Sequence, residues 1–357
     1  WDSSTITWSN MPATDSNVEV YSNQSTLGDY TLDITGIAQE WLHNGVNNGL
    51  MLKAENETTY VYSYWSSDST ANQPPIVRFQ YSDYAGLESS LSYHDIDLAK
   101  GAALHVSDFN GNMVTTVPVV ETQGNLLPVN LDLVYNSTLR NINVPDLMTG
   151  DGWRTTYDRT ITWMVINGVE YYRYRDGDGT EHFFYSNGTN WVDEDGLGLT
   201  LDQTTLTITD LQDNKIAFYT GATANGRLKE IVDAQGNKVT VTQTASGSTW
   251  CVTAVTDAAG RQTTYNRAAD GTLQSITDPA GRATSLGYTG SKLTTITYPD
   301  NKTLALAYDA NGNLTTLDDA DGVRRSLTYQ STTPYRVTQV SEAATNGSAT
   351  GGYLNFA

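Results

Sequence analysis

A pattern of about twenty residues recurs through the C-terminal half of this chain and limits what it can fold into. Its clearest copy runs Tyr308-Asp309-Ala310-Asn311-Gly312-Asn313-Leu314, with an apolar residue at Leu317 and an acid at Asp319. Looser copies are Leu228-x-x-Ile231-x-Asp233-x-x-Gly236-Asn237, Val255-Thr256-Asp257-Ala258-Ala259-Gly260-Arg261 followed by Tyr265, and Leu273-x-x-Ile276-Thr277-Asp278-Pro279-Ala280-Gly281-Arg282 followed by Tyr288. Leu293-x-x-Ile296-x-Tyr298-Pro299-Asp300 leads into the Tyr308 copy, and Asp319-x-x-Gly322 followed by Tyr329 closes the series. Tyr288, Tyr308 and Tyr329 stand 20 and 21 residues apart, and Asp233, Asp257 and Asp278 stand 24 and 21 apart. A period of this size marks a repeat architecture.

Each unit reads as strand, turn, strand. Leu304, Leu306 and Tyr308 alternate with Ala305 and Ala307, as Val239 and Val241 alternate with Thr240 and Thr242; period two is the signature of a half-buried strand. Asp-x-x-Gly and Asn-Gly supply the turns, because Gly and Asn accept positive φ and Asp bonds the backbone two residues on. A lone hairpin cannot bury its apolar face, whereas stacked copies can, so the sheet grows hairpin by hairpin. The expectation is an open, curved antiparallel sheet with exposed edges.

On these motifs, about residues 150–330 resemble the YD-repeat, or RHS, family, with Tyr308, Asp309, Gly312, Asn313 and Leu314 the closest match and Asp278, Gly281 and Tyr288 a second copy. The resemblance implies a β-sheet ribbon that spirals into a hollow shell, often around a C-terminal toxin, in bacterial proteins that are mostly secreted or surface-bound. Family members also cut themselves near a core motif containing Asp-Pro. Here Asp278-Pro279-Ala280-Gly281 occupies the frame of Asp257-Ala258-Ala259-Gly260, so it reads as a repeat turn.

Residues 1–83 have a different texture. Trp8, Asn10 and Pro12 precede Asp33-Ile34-Thr35, then comes a short helix over 36–42 that Thr35 can cap and whose Ile37 and Trp41 share a face. Strands are expected at 49–54, 59–65 and 76–81. This order, with Asn48-Gly49-Leu50 and Pro75-Ile76-Val77 before Tyr81, is similar to the C-terminal part of a DNRLRE domain, a jelly-roll module akin to carbohydrate-binding domains. The pairing of such a module with downstream repeats resembles bacterial wall-associated proteins. The expected organisation is therefore all-β: a partial jelly-roll β-sandwich over 1–83, a connecting β region over 84–150, and a curved repeat sheet over 151–357. In the connecting region Val129, Leu131, Leu133 and Tyr135 alternate and are too apolar for a flexible linker, so first layers or a lid of the repeat sheet are expected.

Composition supports this class. The chain holds 22 Tyr, 8 Trp and 30 Gly against 9 Pro, which favours strands and turns. Its net charge of −20 argues against nucleic acid, whose phosphates need clustered Lys and Arg, and against anionic membrane surfaces. Cys251 is the single cysteine, so no internal disulfide forms, and its apolar neighbours mark an inert thiol. No apolar run reaches transmembrane length. The opening on Trp1, without a visible signal peptide, is expected of a piece of a longer polypeptide.

Candidate chemistry is sparse. His43, His94, His105 and His182 lack metal-ligand spacing, and no Gly-x-Ser-x-Gly elbow or phosphate loop is present. Asp176-Gly177-Asp178-Gly179, Asp193-Glu194-Asp195-Gly196 and Asp108-x-Asn110-x-Asn112 offer oxygens to calcium, yet none has the helical calcium-loop pattern, and solvated turns explain them. No cofactor is therefore expected. Tyr60, Tyr62 and Tyr64 share one face of a strand with Trp65 on the other. That stripe either stacks on sugar rings or lines the sandwich core. The expected role is non-enzymatic: a structural part of a secreted or cell-wall-associated shell, with a toxin as cargo. The alternative is an adhesin or carbohydrate-binding protein that uses the repeats as a stalk, with a wall or extracellular glycan as partner. A third reading is a glycan-degrading enzyme whose catalytic part lies elsewhere.

Overall fold

The computed structural model describes residues 85–356, apart from 125, 142–147, 167–168, 222–223, 247–248 and 333–334, together with seven single positions between 28 and 50. The chain divides into a unit Trp1–Val77 and a unit Arg78–Ala357. In the first, Ile37 and Ala38 are helical, within the helix expected at 36–42, and Ala38 N–H donates to the Ile34 carbonyl at 2.9 Å. The remaining expectations for 1–83, including the jelly-roll strands, His43, Tyr60, Tyr62, Tyr64 and Trp65, fall outside the described residues.

The second unit is all-β, with two antiparallel sheets among its described residues. The smaller contains β1 (Tyr93–Asp97), β2 (Ala103–Ser107), β3 (Met113–Glu121), β4 (Asn130–Asn136) and β5 (Trp153–Thr155), paired in chain order. The larger begins with β6 (Thr160–Ile166), β7 (Val169–Arg175), β8 (Glu181–Ser186), β9 (Trp191–Asp193), β10 (Thr200–Asp202), β11 (Thr207–Thr209) and β12 (Lys215–Phe218). It continues through β13 (Leu228–Val232), β14 (Lys238–Ser246), β15 (Thr249–Thr256), β16 (Gln262–Arg267), β17 (Leu273–Thr277) and β18 (Ala283–Thr289). It ends with β19 (Lys292–Thr297), β20 (Thr303–Tyr308), β21 (Leu314–Asp318), β22 (Val323–Tyr329), β23 (Val337–Ala344) and β24 (Thr350–Asn355). Every strand pairs with its sequence neighbour, giving one unclosed meander of nineteen strands.

The large sheet does not lie flat. Thr160 at the start of β6 bridges to Arg227 beside β13, seven strands along. Ile161 N–H donates to the Gly226 carbonyl at 2.7 Å and Leu228 N–H to the Arg159 carbonyl at 3.1 Å, so the sheet curls back on its own beginning.

One apolar core joins the two sheets. Leu104, Val106, Met113, Val117, Leu131, Leu133, Tyr135 and Trp153 lie on one face of the small sheet, and all are buried. They meet the inward residues of the large sheet in a single cluster. Polar ties hold the two together along a long stretch. Ala258 N–H reaches the Leu127 carbonyl, Leu273 N–H the Met148 carbonyl and Val337 N–H the Gly111 carbonyl, at 2.8–3.2 Å. The strands β1–β5, from Tyr93 to Thr155, therefore form a separate sheet laid over the inner face of the larger one.

Candidate functional site: the repeat wall and its filled inner face

The wall is built from one small device used six times. Leu-x-x-Ile places two apolar residues three apart, whereas a regular strand returns to the same face every two. The register resolves the conflict. In β16–β17, Arg267 faces Leu273 and Asn266 faces Ser275, so Gln274 is an extra residue, a β-bulge. The same insertion leaves Lys229, Thr253, Thr294, Thr315 and Thr338 as extra residues in the other hairpins. Because of the bulge, both Leu and Ile point inward, and Leu273, Ile276, Leu293, Ile296, Leu314 and Leu317 are buried.

Two hydroxyls secure the bulge from opposite faces. On the outer side, Thr294, Thr315 and Thr338 donate to the carbonyls of Gly287, Ala307 and Thr328 at 3.2 Å, and Thr253 donates to Thr242 at 3.4 Å. On the inner side, Tyr288, Tyr308 and Tyr329 donate to the carbonyls of Leu273, Leu293 and Leu314, each fifteen residues earlier and each at 2.7 Å. Gln243 and Arg267 do the same for Leu228 and Val252. The repeat tyrosine thus fills the interior with its ring and satisfies a buried carbonyl with its hydroxyl. In the Asp257 copy this position is Arg267. Tyr265, which the spacing marks as the repeat tyrosine, stands two residues earlier, with its hydroxyl 3.3 Å from Thr155 Oγ1.

The aspartates close the turns. Asp309 Oδ1 accepts from the N–H groups of Asn311 and Asn313 at 2.9 Å, and its Oδ2 accepts from Asn313 Nδ2 at 2.8 Å. Gly312, at φ +81°, supplies the left-handed step between them. Asp278 repeats this with Ala280, Arg282 and Gly281, and Asp257 with Ala259, Arg261 and Gly260. Asp278-Pro279 is thus an ordinary member of the series. The Asn237 side-chain amide and backbone hydrogen bonds hold the Asp233 carboxyl below the usual range.

The small sheet fills the space these tyrosines face. Trp153 Nε1 donates to the Tyr308 hydroxyl at 2.9 Å, and the Tyr135 ring packs on Trp153 and Tyr308 at 5.3 and 6.3 Å. Asp151, Ser291 and Lys292 tie the approach to β5 to the start of β19: Ser291 Oγ donates to Asp151 Oδ2 at 2.6 Å, and Lys292 Nζ lies 3.1 Å from the same carboxylate. Trp153 and Tyr135 carry no repeat signal, and the Thr beside Leu293 and Leu314 is legible only once the bulge is known.

A polar joint stands where the sheets meet. Asp178 Oδ2 accepts Leu87 N–H at 2.9 Å, its Oδ1 accepts Thr180 N–H and Oγ1, and its carbonyl accepts Asn136 Nδ2. Arg154, fully buried, donates to the Asp176 carbonyl at 3.3 Å, and burial with Arg175 nearby pushes its guanidinium down to about 10. Burial, with Asp178 alongside, pushes the Asp176 carboxyl up to about 7. His182 pairs with Asp195 at 2.9 Å, His105 with Asp95 at 2.7 Å and His94 with Asp108 at 3.1 Å. Asp193 spends its two oxygens on the N–H groups of Leu197 and Leu199. Among the described residues no group of three or more His, Cys, Asp or Glu side chains is placed to hold a metal ion. Cys251 is buried. No helix among the described residues is long and apolar enough to cross a membrane.

Residues 290–324, spanning β19 to β21 with their turns, match the family model described as RHS Repeat. Residues 105–184, from β2 to β8 across the joint, match that of a domain of unknown function, DUF6531. No curated protein matches the chain.

Proposed function

We propose that this chain, which carries an RHS repeat at 290–324, is a structural part of a larger secreted or cell-surface protein. Its repeat sheet forms a stretch of shell wall and its small sheet closes that stretch from within. The observation that carries this reading is the unbroken nineteen-stranded meander whose inner face is covered by the chain's own sheet. A wall needs many similar hairpins in series, and six bulged hairpins of one design support that reading. The cargo, a C-terminal toxin by family analogy, then lies beyond the filled stretch, with the small sheet as a stopper. The role is non-enzymatic and needs no cofactor.

The intact mass and terminal sequences of the native parent protein test this, together with protease digestion of it. A much longer chain with an unrelated C-terminal domain that resists protease while the shell is intact is the expected result. A parent that continues only as repeats to a wall anchor would overturn cargo enclosure. It would favour the adhesin reading, in which residues 1–83 bind a wall or extracellular glycan through Tyr60, Tyr62, Tyr64 or Trp65. Hydrolysis of a polysaccharide by this chain would overturn the non-enzymatic role.

A further inference from the structure

The first strand of the large sheet differs from the rest of the wall. β6 reads Thr-Ile-Thr-Trp-Met-Val-Ile, with no charge, Gly or Pro. Its side chains are apolar on both faces over the second half: Trp163 is 52% and Val165 48% exposed on one, with Met164 and Ile166 half-buried on the other. On the Met164 and Ile166 face, Val169 of the adjoining β7 and Tyr185 of β8 are exposed as well. The repeat strands instead turn Thr240, Thr242, Thr264 and Asn266 outward.

The backbone of β6 is also unpaired on one side. β6 pairs with β7 throughout, and among the described residues its other edge is used only at the Thr160–Arg227 bridge. Ile161 N–H points outward to Gly226. By alternation, Trp163 and Val165 direct their N–H and C=O groups the same way, with no partner among the described residues. The bridge shows that this edge has the twist to take a second strand. Natural edges of this length usually carry a Lys, a Pro or a bulge as protection, and β6 has none.

We infer that the 162–166 edge of β6 pairs antiparallel with the same edge of a second copy of this chain. A twofold axis at Met164 sets Trp163 opposite the second copy's Val165, Met164 opposite its counterpart and Thr162 opposite Ile166. The 163–165 pairs exchange the outward backbone hydrogen bonds. Trp163 then meets Val165 on one face and Met164 meets its counterpart on the other, with Thr162 beside Ile166, and no charge is opposed. A charged partner would find no counter-charge on β6, whereas the strand is complementary to itself. The net charge of −20 on each copy works against the pair and sets its salt dependence.

Sedimentation velocity on the whole chain, over a range of concentrations at low and high salt, tests this. The expected result is a monomer–dimer equilibrium that moves toward dimer with concentration and with salt. Trp163→Lys should weaken it by about tenfold or more, since a buried unpaired charge costs well over the 1.4 kcal/mol that a factor of ten represents. Hydrogen exchange on the wild type gives a second readout that needs no variant: the Trp163 and Val165 amides should gain protection with concentration. Val165→Thr, which keeps strand propensity, should weaken the dimer if Trp163→Lys fails to fold. A wild type that stays monomeric under all conditions overturns the inference. So does a dimer that survives these substitutions in folded protein, or one without concentration-dependent protection at Trp163 and Val165.

Discussion

The repeat tyrosines are the residues through which the wall is most sensitively probed. Tyr288→Phe and Tyr329→Phe each remove one hydroxyl from a buried carbonyl and should destabilise by about 1 kcal/mol. Tyr308→Phe also deprives Trp153 Nε1 of its acceptor, so about 2 kcal/mol is expected. Urea midpoints at unchanged m-value would show the ordering, and equal losses at all three sites would refute it. The turn glycines give a second comparison. Gly281 and Gly312 share φ +81°, but a Cβ on Gly281 meets nothing within 4 Å, while one on Gly312 would lie 2.1 Å from Asn141 Oδ1. Gly281→Ala should cost about 1 kcal/mol for the left-handed backbone alone, and Gly312→Ala measurably more. At this scale the sequence made the Tyr, Asp and Gly of each copy visible. Tyr265 misleads, because it follows Asp257 by eight residues where Tyr288 and Tyr329 follow Asp278 and Asp319 by ten, and Arg267 holds the bonding position.

Among the elements, the bulged hairpin and the β7–β8 loop behave differently with pH. The Asp233 carboxyl is held low by the Asn237 amide and backbone donors, so its contribution is lost as pH falls through its folded value. Asp176 has the opposite sign. Its carboxyl rises from the ordinary 3.8 to about 7 in the folded chain, through burial and then Asp178. Folding therefore favours the protonated form. The stability that this gives is full below pH 3.8, declines as pH rises and is gone above about 7. Asp176→Asn should flatten that part of the profile, as thermal melts from pH 4 to 8 would register; an unchanged slope would exclude Asp176 as its source. The acidic runs around Asp176 and Asp193 could be read as turns from composition. That Asp178 grips Leu87 and Asn136 could not, since those partners are 91 and 42 residues away.

For the whole molecule, the small sheet couples repeats that would otherwise contact only their neighbours. Its ties run from Ala258 to Val337, across the span from β15 to β23. Trp153, 1% exposed, is the centre of that coupling, and Trp153→Ala should cost about 3–5 kcal/mol. Calorimetry should show a cooperative transition that broadens or splits in the variant, as the repeats begin to unfold independently; a simple downward shift without broadening would mean that the coupling lies elsewhere.

Sequence alone determined that this unit is a β-meander of linked hairpins. Alternation, Asp-x-x-Gly turns and the Leu-x-x-Ile spacing act within twenty residues, and a period repeated five times is a strong local signal. The tertiary structure decided which face became the interior, how far the sheet curls and what fills it. Val129, Leu131, Leu133 and Tyr135 advertise an apolar strand without naming its counterpart. The contact between Trp153 and Tyr308 spans 155 residues and rests on shape and burial, which leave no periodic trace in the chain.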